Sequence, residues 1–236
     1  MKNKILLLLL VFGINLQANS LQIVSAAGYK KPMIEVIAAF EQKHNIKVEA
    51  MYGNMVQVTT QANHGNAELI IGDRGYLEQK SGLKIHDFIF LGHGRVVAAY
   101  PKGTILKSIE DLKDEKIQKI AMPQPKRAIY GTATEEFLHS LNLYDALKQK
   151  LFIVATVPQV ATYVITNEVD AGIINLTAAL DNIDKIGGYI EVDHNYYTPI
   201  EITAASLKPC NTGACLNFKN FLTSPQSKEI FKKYGL

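Results

Sequence analysis

The stretch LQIVSAAGYKKPMIEVIAAFEQKHNIKVEAMYGNMVQVTTQANHGNAELIIGD, residues 21–73, decides the fold. "LQIVSA" is an apolar run of strand length. The segment after it sets Met33, Ile37 and Phe40 on one helical face. Lys43 and His44 close that helix, where positive charge suits the dipole. "IKVEAMY" alternates at period two and reads as a strand. "NMVQVTTQANH" reads as a helix in spite of its β-branched residues, and "AELIIGD" as a buried strand ending at Gly72. Strand–helix–strand–helix–strand within about fifty residues implies a parallel sheet with right-handed crossovers.

Further along, "FIFLGHGRVVAAYP" (88–101) is a long apolar run broken by Gly92 and Gly94. "SIEDLKDEKIQKIAMPQP" reads as a surface helix feeding a strand, and "YGTATEEFLHSLN" as a helix with acids in its early turns. "LFIVATVPQVATYVITNEVDAGIIN" repeats strand–turn–helix–strand, with Pro158 early in the helix, where proline is tolerated. Strands through "YIEVD" and "IEITAAS" and helices through "LNFKNFL" and "SPQSKEIFKKYG" complete the chain. No internal repeat is legible.

Two α/β blocks and a return segment predict an α/β fold of two lobes around a cleft. Residues 20–95 plus 193–236 would form the first lobe and 96–192 the second. Ligands of open α/β sheets lie at the carboxyl ends of the strands. Four turns stand there: "AAGYKK", "YGNMVQ", "QPKRAIYG" and "ATVPQVA". Each follows a strand and precedes a helix, so each would aim backbone N–H groups at the cleft.

The first residues, "MKNKILLLLLVFGINLQANS", carry two lysines, an apolar run over 5–14 and a small residue at Ala18. This layout predicts a cleavable signal peptide over 1–19 and export to the periplasm; the run is too short to span a bilayer. Removing Lys2 and Lys4 takes the formal net charge of +3 to about +1, which gives no electrostatic case for nucleic acid. Cys210 and Cys215 sit in "PCNTGAC". In an exported chain such a pair forms a local disulfide, and the segment offers no further ligands for a metal.

Enzyme motifs are absent: no G-x-S-x-G, H-E-x-x-H, C-x-x-C or Walker loop occurs. "GHGR" (92–95) is too short for a dinucleotide fingerprint, and His86 and His93 lack a ligand spacing. No reaction, cofactor or metal is therefore expected. Tyr29, Tyr52, Tyr130 and Tyr163 fall on or near the four turns. Phenolates can bind a hard ferric ion, neutral hydroxyls can hydrogen-bond an oxyanion, and interior packing with a wet hydroxyl explains any one of them as well.

Taken together, "AAGYKKPMIEVIAAFEQKHNIKV", "QANHGNAELIIGD", "IAMPQPKRAIYGTATEEFLHSLNLYDALKQKL", "ATVPQVATYVITNEVDAGIIN" and the closing block from Ser224 resemble the periplasmic molybdate-binding proteins (ModA) of ABC importers. The resemblance spans nearly the whole chain after the leader. It implies a type II periplasmic-binding fold, no enzymatic activity, and a monomer that docks transiently on an inner-membrane permease. That family holds a tetrahedral oxyanion with serine hydroxyls and backbone N–H groups, without a neutralising cation. Its first serine falls on Gly28, its second near Asn54 or Met55, and its tyrosine on Asn175. Its backbone donors fall at about Tyr130 and Val157. The implied donors are thus the backbone around Gly28, Tyr29, Asn54, Met55, Tyr130, Gly131 and Val157, with the Asn175 side chain.

Because the hydroxyl positions are substituted, two ligand readings stand. One is a molybdate- or tungstate-type oxyanion on altered donors. The other is a phosphorylated or carboxylated small acid, with Arg74, Lys126 or Arg127 as counter-charges. An adhesin or receptor that kept the fold and lost transport is a third class.

Overall fold

A computed structural model describes residues 20–211 and 213–236; the segment read as a signal peptide lies outside them. The first half runs β1 (Ser20–Ala26), a 3-10 turn (Ala27–Tyr29), α1 (Lys30–His44), β2 (Lys47–Gly53), α2 (Met55–His64), β3 (Leu69–Asp73), α3 (Arg74–Gln79) and β4 (Asp87–Gly94). The second runs β5 (Val96–Tyr100), β6 (Ile120–Pro123), α4 (Ile129–Ser140), α5 (Tyr144–Leu147), β7 (Leu151–Val154), α6 (Val157–Ile165), β8 (Ala171–Asn175), α7 (Leu176–Asp181) and β9 (Gly188–Glu191). β10 (Ile200–Ser206), α8 (Gly213–Leu222) and α9 (Pro225–Lys233) complete the chain.

Local chemistry explains most of these boundaries. Pro32 sits in the first turn of α1, where its missing N–H costs no helical bond. The helix stops at Asn45 in the left-handed conformation (φ 53°), which asparagine tolerates better than most residues. Two expectations differ from the structure. "SIEDLK" forms only a 3-10 turn (Ile109–Lys113), because the Asp111 carboxylate takes the N–H groups of Lys107 and Ser108 and ties the chain locally. The run at 88–101 is two strands in different sheets, parted at Arg95.

The two sheets have orders β2-β1-β3-β10-β4 and β7-β6-β8-β5-β9. In the first, β1 pairs in parallel with β2 and β3, and β10 runs antiparallel beside β3. In the second, β6 pairs in parallel with β7 and β8, and β5 runs antiparallel beside β8. The chain therefore builds two α/β lobes of the same topology, each with an antiparallel strand, β10 or β5, that follows the passage of the chain from the other lobe and lies beside the three parallel strands. The repeat lives in the topology and left no trace legible in the sequence.

The inner strands are covered on both faces, so β3 and β8 are buried throughout, while the edge strand β2 keeps its period-two alternation. In the first lobe, Phe40 of α1 is fully buried edge-on against Phe218 of α8, with centroids 4.9 Å apart. On the opposite face, Met55, Val58 and Leu77 cover Val24 and Ile70. A disulfide joins Cys210 and Cys215, with Cα atoms 5.4 Å apart, at the entry to α8. At the crossing, a Cβ on Gly92 would come within 2.6 Å of Leu236, and one on Gly94 within 2.3 Å of the Tyr130 hydroxyl oxygen. These two glycines let the C-terminus and a tyrosine pair close on the crossing strand. Among the described residues, no helix is long and apolar enough to cross a membrane.

Candidate functional site

Between the lobes lies a small cavity of about 30 Å³, walled by Gly28, Tyr29, Gly53, Asn54, Met55, Asp73, Ala128, Ile129, Tyr130, Thr156, Val157 and Ile202, with Ala26 and Ala27. Only a compact group fits while the lobes stay together. Four helix starts converge on it, those of α1, α2, α4 and α6, one pair from each lobe. The pairs correspond. Asn54 caps α2, its Oδ1 accepting from Gln57 N–H (3.0 Å) while Gln57 Oε1 accepts from Asn54 N–H (2.9 Å). Thr156 and Gln159 repeat this reciprocal box at α6.

The helices differ in what they leave free. α4 starts at Ala128, which has no side chain to cap it. The N–H groups of Ile129 and Tyr130 find no acceptor among the described residues, and neither does that of Val157. Such orphan donors at helix starts carry the positive end of the dipole and suit an anion.

The Gly28 N–H in the first lobe likewise finds no acceptor among the described residues, while several other expected donors are engaged inside the protein. The Met55 N–H donates across the cleft to the Arg127 carbonyl (3.1 Å), and the Gly131 N–H to the Ala128 carbonyl (2.9 Å). The Asn54 N–H serves its capping box. Asn175, wholly buried, caps α7 by accepting from Ala178 N–H and donates its Nδ2 to the Gly28 carbonyl (3.0 Å). Its amide thus ties the lobes together. Gly131 and Asn175 lie outside the cavity wall; Gly28, Tyr29, Asn54, Met55, Tyr130 and Val157 are on it.

The tyrosines on the wall meet. The hydroxyls of Tyr29 and Tyr130 lie 2.5 Å apart, and burial pushes both phenols above their usual range, so both keep their protons. One hydroxyl donates to the other, which leaves a second proton for another acceptor. Tyr163 packs edge-on to Phe152 and Tyr52 lies beneath Lys30, both away from the cavity.

Arg74, Lys126 and Arg127 do not line the cavity. Arg74 pairs with Glu78 (2.8 Å) and Glu201 (3.9 Å) and lies over the Phe88 ring. Lys126 and Arg127 are exposed. Among the described residues the wall holds no cation. It holds instead an acid that the sequence reading passed over. Asp73 is 8% exposed and accepts from the N–H groups of Tyr76 (2.7 Å) and Glu201 (3.2 Å). Burial pushes its carboxyl above the ordinary value, against the pull of those two bonds. The available signal was an acid at the carboxyl end of an otherwise apolar strand.

A cleft between twin α/β lobes, walled by helix starts with unpaired N–H groups, suits the capture of a small solute. Residues 21–236 match the model of the bacterial extracellular solute-binding proteins, and the chain belongs to that family. It is a solute-binding protein similar over nearly its whole length to the molybdate-binding proteins. The molybdate-binding protein ModA of Rhodobacter capsulatus is 27% identical, over 97% of this chain and 93% of that one. The periplasmic molybdate-binding protein of Azotobacter vinelandii superposes with a TM-score of 0.81 at 21% identity, covering 91% of this chain and 97% of that one. PEB3 of Campylobacter jejuni, in a structure with bound L-phospholactate, gives a TM-score of 0.73 at 18% identity, covering 91% and 98%.

Proposed function

We propose that the chain captures a compact tetrahedral oxyanion in the interlobe cleft and presents it to an ABC permease in the inner membrane. The observation that carries this reading is the set of N–H groups at Ile129, Tyr130 and Val157, unpaired among the described residues, on a cavity wall where those residues place no cation. Several preorganised dipoles replace the ion's lost water, and each helix start contributes roughly 0.3–1 kcal/mol. The spare proton of the Tyr29–Tyr130 pair adds a hydroxyl donor where the serines of the molybdate family are missing. Both lobes supply contacts, so binding favours the closed state.

Molybdate and tungstate are one set of candidates, since relatives are named for molybdate. A phosphorylated or carboxylated small acid is the second. It is favoured by an adjoining cavity of about 190 Å³ that shares Asp73 and Ile129 with the first. The protein would act as a periplasmic monomer, exported by residues 1–19 as a cleavable signal peptide.

The test is a calorimetric titration of the metal-free, ligand-free protein with molybdate, tungstate, sulfate, phosphate and citrate. Saturable binding of a tetrahedral oxyanion supports the reading. Silence toward all of them from a folded sample overturns it.

A further inference from the structure

Asp73 is the one charged group on the cavity wall among the described residues. Its topological twin is Asn175. Asp73 ends β3 and caps α3 through the N–H three residues on; Asn175 ends β8 and caps α7 in the same way. Asparagine and aspartate cap helices about equally well. The cap therefore does not call for a carboxylate at position 73. What the carboxylate changes is the cavity. Asn175 has an amide N–H to give, and an ionised Asp73 can only accept.

Each Asp73 oxygen takes one backbone N–H, which leaves lone pairs on both. The groups around it do not neutralise it. Glu201 on β10 adds negative charge, Lys80 after α3 attracts only at a distance, and Arg74 is paired with Glu78 and Glu201. The Tyr29 and Tyr130 phenols are neutral.

We propose that Asp73 makes this cleft selective for a tetrahedral oxyanion that still carries a proton, as inorganic phosphate does near neutral pH and a fraction of a phosphate monoester does at about pH 6.5, over fully ionised sulfate, molybdate or tungstate. The proposal rests on the oxyanion reading above and ranks ligands within it. A protonated oxygen donates to Asp73 while the other oxygens accept from Ile129, Tyr130 and Val157. A fully ionised dianion of the same shape sets a bare oxygen against a carboxylate in a desolvated site, where like charges are heavily disfavoured. Monoesters have a second pKa near 6, so a proton-bearing form is populated at about pH 6.5.

Titrations at about pH 6.5 compare inorganic phosphate, glycerol 3-phosphate, sulfate and molybdate on the wild type and on Asp73→Asn. We expect a phosphate ligand to bind the wild type at least about a hundredfold more tightly than sulfate or molybdate. In Asp73→Asn the ratio should fall to within about tenfold, through gained sulfate and molybdate affinity as well as lost phosphate affinity. Tighter binding of glycerol 3-phosphate than of phosphate supports the proposal and assigns the adjoining cavity to the ester. The reverse order supports it with free phosphate as the ligand. Sulfate or molybdate within tenfold of phosphate on the wild type overturns it, whether or not the variant folds. So does an unchanged ratio in a variant whose circular dichroism and melting are native. If no anion binds either protein, the oxyanion reading fails and the selectivity falls with it.

Discussion

Asp73 and Asn175 stand at the same place in the two halves of the molecule: the end of a buried strand and the cap of the next helix. Tyr29 and Tyr130 also correspond, and they meet hydroxyl to hydroxyl between the lobes. Asn54 and Thr156 correspond as well, each with a glutamine three residues on. The scaffold is thus repeated while the chemistry is not. The second lobe leaves free N–H groups at α4 and α6. In the first lobe the Asn54 and Met55 N–H groups are spent within the protein, and a carboxylate joins the wall. A twin topology brings two sets of helix starts together; small side-chain differences then decide how many N–H groups each set leaves free and where a carboxylate joins them.

The comparison breaks first at the cores. Phe40 in α1 and Phe137 in α4 are each fully buried. Alanine at either should cost about 3–5 kcal/mol by loss of transfer energy and creation of a cavity. Urea melts followed by circular dichroism would measure it. A single transition in both variants means the lobes unfold together, and two transitions mean that they unfold as separate units.

The meeting of the tyrosines can be broken from a third residue. Gly94→Ala places a methyl group within 2.3 Å of the Tyr130 hydroxyl oxygen. Overpacking of this kind costs about 1–3 kcal/mol, and the strain is relieved by parting the lobes. Small-angle scattering should show a larger radius of gyration; an unchanged radius would mean that the tyrosine pair does not hold the cleft.

Giving the second lobe the carboxylate of the first sharpens the contrast. Asn175→Asp removes the Nδ2 donor from the Gly28 carbonyl and leaves that acceptor unpaired, a loss of about 1–3 kcal/mol in thermal or urea unfolding. Anion affinity should fall as well, because a second negative charge then stands behind the cavity.

A smaller effect separates the twins by pH. Folding holds the Asp73 carboxyl above its ordinary value, so protonation favours the folded chain. That contribution is complete below the ordinary aspartate range near 4 and disappears as pH rises through the elevated value. Relative to Asp73→Asn, the wild type should therefore gain stability at about pH 4 compared with about pH 7. Equal differences at both pH values would mean that the carboxyl is effectively solvated. The smallest effect belongs to Arg74→Ala. Its exposed pairing with Glu78 lies outside the cavity, and anion affinity should stay within about twofold of the wild type.

From local patterns alone, the order of strands and helices was readable, along with the turns at which they meet the cleft. Period-two and period-3.6 hydrophobicity, early prolines and the cysteine pair are properties of neighbouring residues. Hence the four turns that carry Gly28, Tyr29, Asn54, Met55, Tyr130 and Val157 were legible from chain order, while the choice of those residues came from the family resemblance. What those groups do there was not. Whether the Met55 N–H is free depends on the Arg127 carbonyl, 72 positions away in the sequence, and the Asn175 amide is committed by Gly28, 147 away. Asp73 read as the tail of a strand, because only the closing of the two lobes sets it against Tyr29 and Tyr130 in one desolvated wall. Hydrogen-bond partners and burial are settled between distant segments, and they determine which donors and acceptors the cleft leaves free.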